Sequence, residues 1–198
     1  MLRITGGDYR SRRLSSPPDA EVSRPYAQRA REAVFNMLRG WFEDARVLDL
    51  FAGVGTMGLE AVSRGAAAVV MVERDRRIGR LLEENIATLA CGDRATAVHA
   101  DALGAVALAR APEPVDVVFV DPPYAMMRDG GGRERVLGQI ARCRQAMAAR
   151  SFLVLRSPLG PDDADLTVGG FDGPEPHRYG SGMWVLLYQP VAAEEAEA

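Results

Sequence analysis

The chain has 198 residues, of which 47% are hydrophobic, and a formal net charge of −3. This length supports one well-buried α/β core and is too short for two ordinary domains. The sequence contains no run of roughly 18 apolar residues, and its start lacks the apolar segment of a signal peptide. We therefore expect a soluble, cytoplasmic protein that binds no membrane.

Cysteine and histidine usage indicates neither a disulfide framework nor a metal site. Cys91 and Cys143 are the only cysteines, and neither belongs to a C-x-x-C pattern or clusters with His99 or His177. Structural zinc sites and disulfide frameworks need closely spaced ligands or several cysteines. The sequence therefore predicts no metal.

Positive charge is concentrated at the start of the chain. Residues 1–40 hold eight arginines and four acidic residues, a balance of +4, which leaves −7 for the remainder of a chain with a net charge of −3. All basic residues are arginines, whose planar guanidinium groups bind phosphate in pairs of hydrogen bonds or stack on bases. Contact with RNA and a genome biased toward arginine codons both account for this composition.

Three segments are predicted in chain order. Residues 1–22 form an arginine-rich extension with a hairpin that turns at Gly6-Gly7, residues 23–190 form the main domain, and residues 191–198 form a disordered acidic tail. A helix near residues 30–41 precedes the alternation of strands and helices that starts at residue 46. The predicted strands are RVLDLF, AVVMVE, ATAVHA, VDVVFV, SFLVLR and MWVLLY. This alternation predicts a parallel sheet with crossover helices, and residues 126–133 and 157–182 are predicted loops.

A glycine-rich loop follows the first strand of this domain. In DLFAGVGTMGLEA, residues Gly53, Gly55 and Gly58 fit the G-x-G-x-x-G pattern, and Glu73 ends the next strand. This arrangement suits a nucleotide-like ligand, either NAD or S-adenosylmethionine, although a purely structural turn gives the same pattern. Asp49 favours S-adenosylmethionine, because its carboxylate would attract the ammonium of a methionine and repel a pyrophosphate.

Asp101 ends the third strand and has two interpretations. Its carboxylate suits the adenine amino group of a cofactor, and it equally suits capping of the segment after Ala102.

The segment Asp121-Pro122-Pro123-Tyr124 directly follows the apolar strand VDVVFV. An exocyclic amine on a base is a poor nucleophile, because its lone pair is delocalised into the ring. The carboxylate of Asp121 and the carbonyl of Pro122 can accept the two amine hydrogens, and Tyr124 can stack the base. The prolines make the loop rigid. The segment therefore predicts methyl transfer to an amine, which depends mainly on alignment with the sulfonium.

With these motifs in place, the sequence resembles the bacterial 16S ribosomal RNA guanine-N2 methyltransferases over about residues 3–188. The resemblance rests on R-I-x-G-G-x-Y-R-x-R-x-L, R-P followed by R-x-R-E-A-V-F-N-M-L, V-L-D-L-F-A-G-V-G-T-M-G-L-E-A-V-S-R-G-A and D-P-P-Y. It implies an α/β, doubly wound, seven-stranded, mostly parallel sheet of the class I methyltransferase type, with S-adenosylmethionine as cofactor.

By this resemblance, two sets of site residues are expected. The cofactor would contact Asp49, Phe51, Ala52, Gly53, Gly55, Glu73 (on the ribose), Asp101 and Ala102 (near the adenine), and Asp121. The substrate RNA would contact Arg3, Arg10, Arg12, Arg13, Arg24, Pro123 and Tyr124. Asp121, Pro122 and Tyr124 would carry the chemistry.

The chain departs from the family pattern at two places. Tyr26-Ala27-Gln28 stand where relatives usually have two threonines and an aspartate, and Leu155-Arg156-Ser157-Pro158 stand where many have a glutamate.

The function expected from these features is methyl transfer to guanine N2 in small-subunit ribosomal RNA, with an assembling subunit as partner. The alternatives are an amino methyltransferase for DNA, transfer RNA or a protein amide, a non-catalytic ribosome-assembly factor, and an NAD-dependent oxidoreductase. The sequence does not indicate an oligomeric state.

Overall fold

The computed structural model of the protein describes residues 2–17 and 25–191. Arg24 and residues 192–198, most of the expected tail, lie outside the described residues. Val191 is described, and its N–H donates a hydrogen bond to the Gly170 carbonyl at 3.1 Å. In chain order the elements are α1 (Pro25–Met37), β1 (Arg46–Leu50), α2 (Thr56–Ser63), β2 (Ala68–Glu73), α3 (Arg76–Leu89), β3 (Ala95–His99), α4 (Ala105–Ala109), β4 (Val115–Val120), α5 (Tyr124–Arg128), α6 (Gly130–Cys143), β5 (Met147–Ser157), β6 (Phe171–Tyr179) and β7 (Met183–Pro190).

The strands form one seven-stranded sheet in the order β3-β2-β1-β4-β5-β7-β6. The pairs from β3 to β5 are parallel, whereas β7 runs antiparallel to both β5 and β6. After β1 the chain moves outward to β2 and β3, then returns to β4 beside β1. The sheet is therefore α/β, doubly wound, seven-stranded and mostly parallel, and the predicted fold class is confirmed.

Two apolar cores lie on opposite faces of the sheet. One contains side chains of α1, α2 and α3, including Phe35, Leu59 and Leu82, all fully buried. The other contains side chains of α4, α5 and α6, including Met127 and Val136, which are equally buried. Parallel strands covered on both faces are expected to be apolar throughout, which explains the continuous hydrophobic strands of the sequence.

The sequence pattern missed β6. Its segment FDGPEPHRY contains Gly173, Pro174 and Pro176, and it was predicted as part of a long loop. Proline cannot donate a backbone hydrogen bond, so it is tolerated mainly on an edge strand. Within residues 2–17 and 25–191, β6 is an edge of the sheet and pairs with β7 alone, so prolines that would disrupt a central strand are tolerated here.

The prediction of a loop at residues 126–133 is wrong. α5 continues to Arg128, and α6 already begins at Gly130, so the three glycines lie in the first turn of a helix. The Asp129 carboxylate accepts a hydrogen bond from the Gly132 N–H at 2.7 Å. A side-chain cap of this kind stabilises a helix start even where glycine disfavours it.

The N-terminal segment, residues 2–17, packs against α2, where the Thr5 N–H donates a hydrogen bond of 2.8 Å to Oε2 of Glu60. Arg3 and Arg13 form one isolated antiparallel bridge, and Ile4 and Leu14 are buried in the core. The turn extends through Ser11, beyond the predicted Gly6-Gly7 pair. The segment is therefore part of the main hydrophobic core and not a free arm.

No helix within the described ranges is long and apolar enough to cross a membrane.

Candidate active site

A cavity of about 890 Å³ opens at the carboxyl ends of β1 and β4. These neighbouring strands are where the chain direction across the sheet reverses, and open α/β sheets bind ligands at this position. Its walls come from α1, the loops after β1, β2 and β4, the end of β5, and the turn between β6 and β7. The expected site residues that line it are Phe51, Ala52, Gly53, Glu73, Ala102, Asp121, Pro122, Pro123 and Tyr124.

The loop after β1 is held in a fixed shape by the neighbouring strand. Phe51 and Gly53 both have positive φ angles, 63° and 57°. The Gly53 N–H donates a hydrogen bond of 2.9 Å to Oε2 of Glu73, and Oε1 of Glu73 accepts one of 2.8 Å from the Asp75 N–H. Glu73 therefore organises the loop, in addition to lying on the cavity wall.

Gly53 and Gly55, the first two glycines of the motif, have different structural roles. Gly55 has φ 87°, and a Cβ there would lie 2.5 Å from Cδ1 of Leu82, so this glycine permits close packing of the loop on α3. A Cβ on Gly53 would meet nothing within 4 Å. Gly53 lines the cavity, whereas Gly55 does not, so Gly53 is where a ligand can approach the backbone.

Asp49 lies in β1 beneath this loop, is 1% exposed, and is not among the described residues that line the cavity. Its Oδ2 accepts a hydrogen bond of 2.9 Å from the Gly58 N–H, and its Oδ1 has no partner among the described residues. Burial raises the pKa of Asp49 to about 8, and the nearby charges of Asp121 and Glu73 add to the rise. A cation at this carboxylate would satisfy Oδ1 and favour the ionised form.

Asp101 lies outside the cavity lining, although Ala102 is part of it. The exposed Asp101 carboxylate accepts a hydrogen bond of 2.9 Å from the Leu103 N–H. It thus stabilises the turn before α4, while Gly104 is the residue at the cap position. The Asp101 Oδ2 also lies 4.0 Å from Nη2 of Arg135 in α6, so the contacts of Asp101 are with this turn and with α6.

The Asp121–Tyr124 segment follows β4 and forms the wall opposite the glycine loop. The Asp121 N–H donates to the Leu50 carbonyl at 3.2 Å, which ties the end of β4 to the end of β1. The Pro123 carbonyl accepts a hydrogen bond of 2.9 Å from the Met126 N–H and so starts α5. Tyr124, the first residue of α5, is held at the cavity by this helix start.

Arg156 is a site residue to which the sequence analysis gave no role. Its Nε donates to Oδ1 of Asp121 in a close ion pair, and its Cζ lies 5.5 Å from the centre of the Tyr124 ring. Burial raises the pKa of Asp121, and Arg156 opposes that rise. The position of Arg156 at the carboxyl end of β5 was the available signal, because strand ends at this edge of the sheet form the site.

Two further arginines line the cavity. Arg128 of α5 is exposed, and its Cζ lies 5.8 Å from the centre of the Tyr124 ring. Arg31 of α1 is only 8% exposed, and its Nη2 donates to the Arg3 carbonyl at 2.8 Å. Burial lowers the pKa of Arg31. Helical periodicity marks Arg31 as part of α1 but gives no sign that α1 covers the site.

The arginines expected to contact RNA do not join this cavity. Arg3, Arg10, Arg12 and Arg13 are exposed, and none is among the described residues that line it. Next to Arg10 in the turn, the Tyr9 N–H donates a hydrogen bond of 2.9 Å to the hydroxyl of Ser63, the last residue of α2. The turn therefore lies at the end of α2, away from the glycine loop.

Gln28 lines the cavity from α1, within the segment that departs from the family pattern. Its Nε2 donates a hydrogen bond of 2.9 Å to Glu32 one turn later.

A family model described as Conserved hypothetical protein 95 matches residues 2–157. The chain belongs to this family. Curated relatives agree: Ribosomal RNA small subunit methyltransferase D of Escherichia coli (strain K12) is 44% identical over 124 residues, which are 63% of this chain and 61% of the relative. The protein of the same name from Haemophilus influenzae is 35% identical over 124 residues, 62% of this chain and 64% of that one. The chain thus spans about three fifths of the length of these relatives.

Solved structures give the family the same fold. The yhhF protein of Escherichia coli, a proposed methyltransferase, has a TM-score of 0.79 at 33% identity, over 96% of this chain and 98% of its own. A hypothetical protein of Thermus thermophilus has a TM-score of 0.73 at 33% identity, over 96% of this chain and 100% of its own. The resemblance to the small-subunit ribosomal RNA methyltransferases, predicted from the sequence, is confirmed.

Proposed function

We propose that this protein transfers a methyl group from S-adenosylmethionine to the N2 amine of a guanine in small-subunit ribosomal RNA. The observation that carries the proposal is one cavity with the glycine loop on one wall and Asp121–Tyr124 on the other. The relatives named as ribosomal RNA small subunit methyltransferases support ribosomal RNA as the polymer that is methylated.

The residues on the glycine-loop side fit such a cofactor. The unpartnered Oδ1 of Asp49 suits the ammonium of a methionine moiety, Glu73 suits ribose hydroxyls, and the open backbone at Gly53 permits close approach. Phe51, Ala52 and Ala102 supply apolar wall for the rest of the molecule. When bound, S-adenosylmethionine supplies a methyl group activated on a sulfonium.

The opposite wall is suited to hold an amine. The Asp121 carboxylate and the Pro122 carbonyl would accept the two N–H groups, which favours a pyramidal nitrogen with its lone pair directed across the cavity. Tyr124 would stack on the base, and Pro123 keeps the turn rigid. Most of the acceleration would come from this alignment, since a correctly oriented pair of reactants needs little further catalysis.

The charges of the cavity favour a nucleic acid over a neutral amide as substrate. Carboxylates surround the glycine loop, whereas Arg31, Arg128 and Arg156 lie on the walls formed by α1, α5 and β5. Guanidinium groups bind phosphates and stack on bases. The exposed arginines of the N-terminal segment, with Arg24 as an expected addition, would contact RNA further from the reacting base.

The decisive experiment uses small ribosomal subunits from a strain that lacks the modification. The protein is incubated with them and labelled S-adenosylmethionine, and the nucleosides are analysed by mass spectrometry. We expect N2-methylguanosine from the wild-type protein and none from Asp121→Ala. Free ribosomal RNA, transfer RNA and DNA are assayed in parallel, with the assembling particle expected to be the best substrate.

Other outcomes would overturn specific parts of the proposal. Label in transfer RNA or DNA alone would contradict ribosomal RNA as the substrate. Label on another atom would contradict the proposed specificity for guanine N2. Binding to the particle without any methyl transfer would indicate an assembly factor.

A further inference from the structure

The guanidinium group of Arg156 already makes two contacts that the target base needs. Its Nε donates to Oδ1 of Asp121, and its Cζ lies 5.5 Å from the centre of the Tyr124 ring. The sheet fixes this arrangement, because Val120 and Leu155 are paired neighbours in β4 and β5 and immediately precede Asp121 and Arg156. The amine acceptor and the stacking ring are therefore both engaged by one side chain.

An arginine head group and the C2 edge of guanine have the same chemical core. In guanine, C2 is bonded to N1, N2 and N3, which makes a planar carbon with three nitrogens, as in a guanidinium group. Both present N–H donors in one plane, and a carboxylate pairs with such donors side by side. Adenine has a single exocyclic amine beside an acceptor nitrogen and lacks this unit.

Building on the proposed function, we propose that the space filled by the Arg156 guanidinium is the binding subsite for the N1–C2–N2 edge of the target guanine. Arg156 keeps this subsite closed in the free protein and leaves it when the base enters. The base then takes over both the hydrogen bond to Asp121 and the contact with Tyr124.

The surroundings of Arg156 allow this exchange. Its side chain is 35% exposed and that of Asp121 is 27% exposed, so the pair lies at the cavity surface and not in the sealed core. The turn at residues 180–182 lines the same cavity and consists of Gly180, Ser181 and Gly182, whose side chains are small or absent. The guanidinium can therefore turn toward solvent or an RNA phosphate without disturbing the sheet.

Arg128 provides a matched control. Its Cζ lies 5.8 Å from the centre of the Tyr124 ring, nearly the same distance as that of Arg156. Arg128 lies on α5, and the ion pair of Asp121 is with Arg156. Replacing Arg128 removes a guanidinium group near Tyr124 but leaves the ion pair between Arg156 and Asp121 intact.

The test measures nucleotide binding to the full chain saturated with S-adenosylhomocysteine, by calorimetry or by NMR titration. The probes are guanosine 5′-monophosphate and adenosine 5′-monophosphate. Because a closed subsite lowers the apparent affinity by the fraction of open protein, we expect R156A to bind the guanosine nucleotide about tenfold more tightly than wild type. We expect no gain for the adenosine nucleotide and no gain for R128A with either probe.

A weaker or unchanged affinity of R156A for the guanosine nucleotide would overturn the proposal, and so would an equal gain for both nucleotides. R156Q, which keeps a polar side chain but shortens it, serves as a second variant with the same expected direction if R156A unfolds. The two proposals fail separately. Absence of N2 methylation by the wild-type protein would refute the proposed function, whereas the nucleotide affinities of the variants test the role of Arg156.

Discussion

The two walls of the cavity are built in different ways. The glycine-loop wall is built around one continuous segment, in which Glu73 and Asp49 accept hydrogen bonds from the N–H groups of Gly53 and Gly58. The opposite wall combines side chains from α1, α5, β5 and the β6–β7 turn, and its central carboxylate is engaged by Arg156. Hydrogen bonds hold the first wall in shape, whereas our proposal requires Arg156 to leave the second wall before the base binds. We therefore expect mutations to separate binding of the cofactor from binding of the RNA.

The largest expected effect is on turnover, through the substrate-side wall. Asp121→Ala removes the proposed amine acceptor, and we expect methyl transfer to fall by about 10²-fold or more, since misalignment of reactants alone costs this much. Cofactor affinity measured by calorimetry should stay close to that of wild type. Asp121→Asn, which keeps one acceptor oxygen, is the control and should retain more activity. Equal losses of cofactor binding and turnover would show that the two walls are not separable.

The second prediction concerns the buried carboxylate of the glycine-loop wall. The pKa of Asp49 is raised from 3.8 to about 8, so between these pH values the folded protein holds a proton that the unfolded chain has released. Stability is therefore highest at low pH in this window and falls as the pH rises toward 8, by at most about 1.4 kcal/mol per pH unit from this group.

Urea unfolding of the cofactor-free protein at several pH values between 5 and 8 measures this dependence. Asp49→Asn, which cannot titrate, should lose stability less steeply over the same range. Parallel curves for the two proteins would contradict the assignment of the raised pKa to Asp49.

The third prediction separates the two glycines of the loop. Gly55→Ala would place a Cβ 2.5 Å from Leu82 at a φ of 87°, and we expect it to lower the free energy of unfolding by about 1–3 kcal/mol. Gly53→Ala has free space for its Cβ, so its stability loss should be smaller, about 1 kcal/mol, with the larger effect on cofactor affinity. Denaturant unfolding and calorimetry distinguish them, and a reversed order would be evidence against the different roles.

The smallest expected effect lies outside both walls. Arg10→Ala and Arg12→Ala change exposed residues of the N-terminal turn, which does not line the cavity. Each should reduce the slope of log affinity against log salt for RNA-particle binding by about 1 if it contacts a phosphate. Turnover at saturating substrate should be unchanged, and a loss of turnover at saturation would connect this turn with the reacting base.

Much of the fold was predictable because its pattern is local. The strands of the parallel sheet are mostly apolar runs that alternate with helices along the chain, as the sequence analysis predicted. β6 was missed because its prolines are acceptable only at an edge, which depends on the whole sheet. The start of α6 was missed because three successive glycines disfavour a helix, whereas in the structure the Asp129 carboxylate caps the first turn.

By itself, the sequence determined the doubly wound sheet, the glycine loop and the Asp121–Tyr124 turn, since each is a contiguous segment whose spacing carries its conformation. Only the tertiary structure decided which of their neighbours form the site. Arg31, Arg128 and Arg156 are separated along the chain, and α1 and the strand order bring them to one cavity. The ion pair of Asp121 with Arg156 follows from the adjacency of β4 and β5, a non-local pairing that no spacing in the sequence reveals.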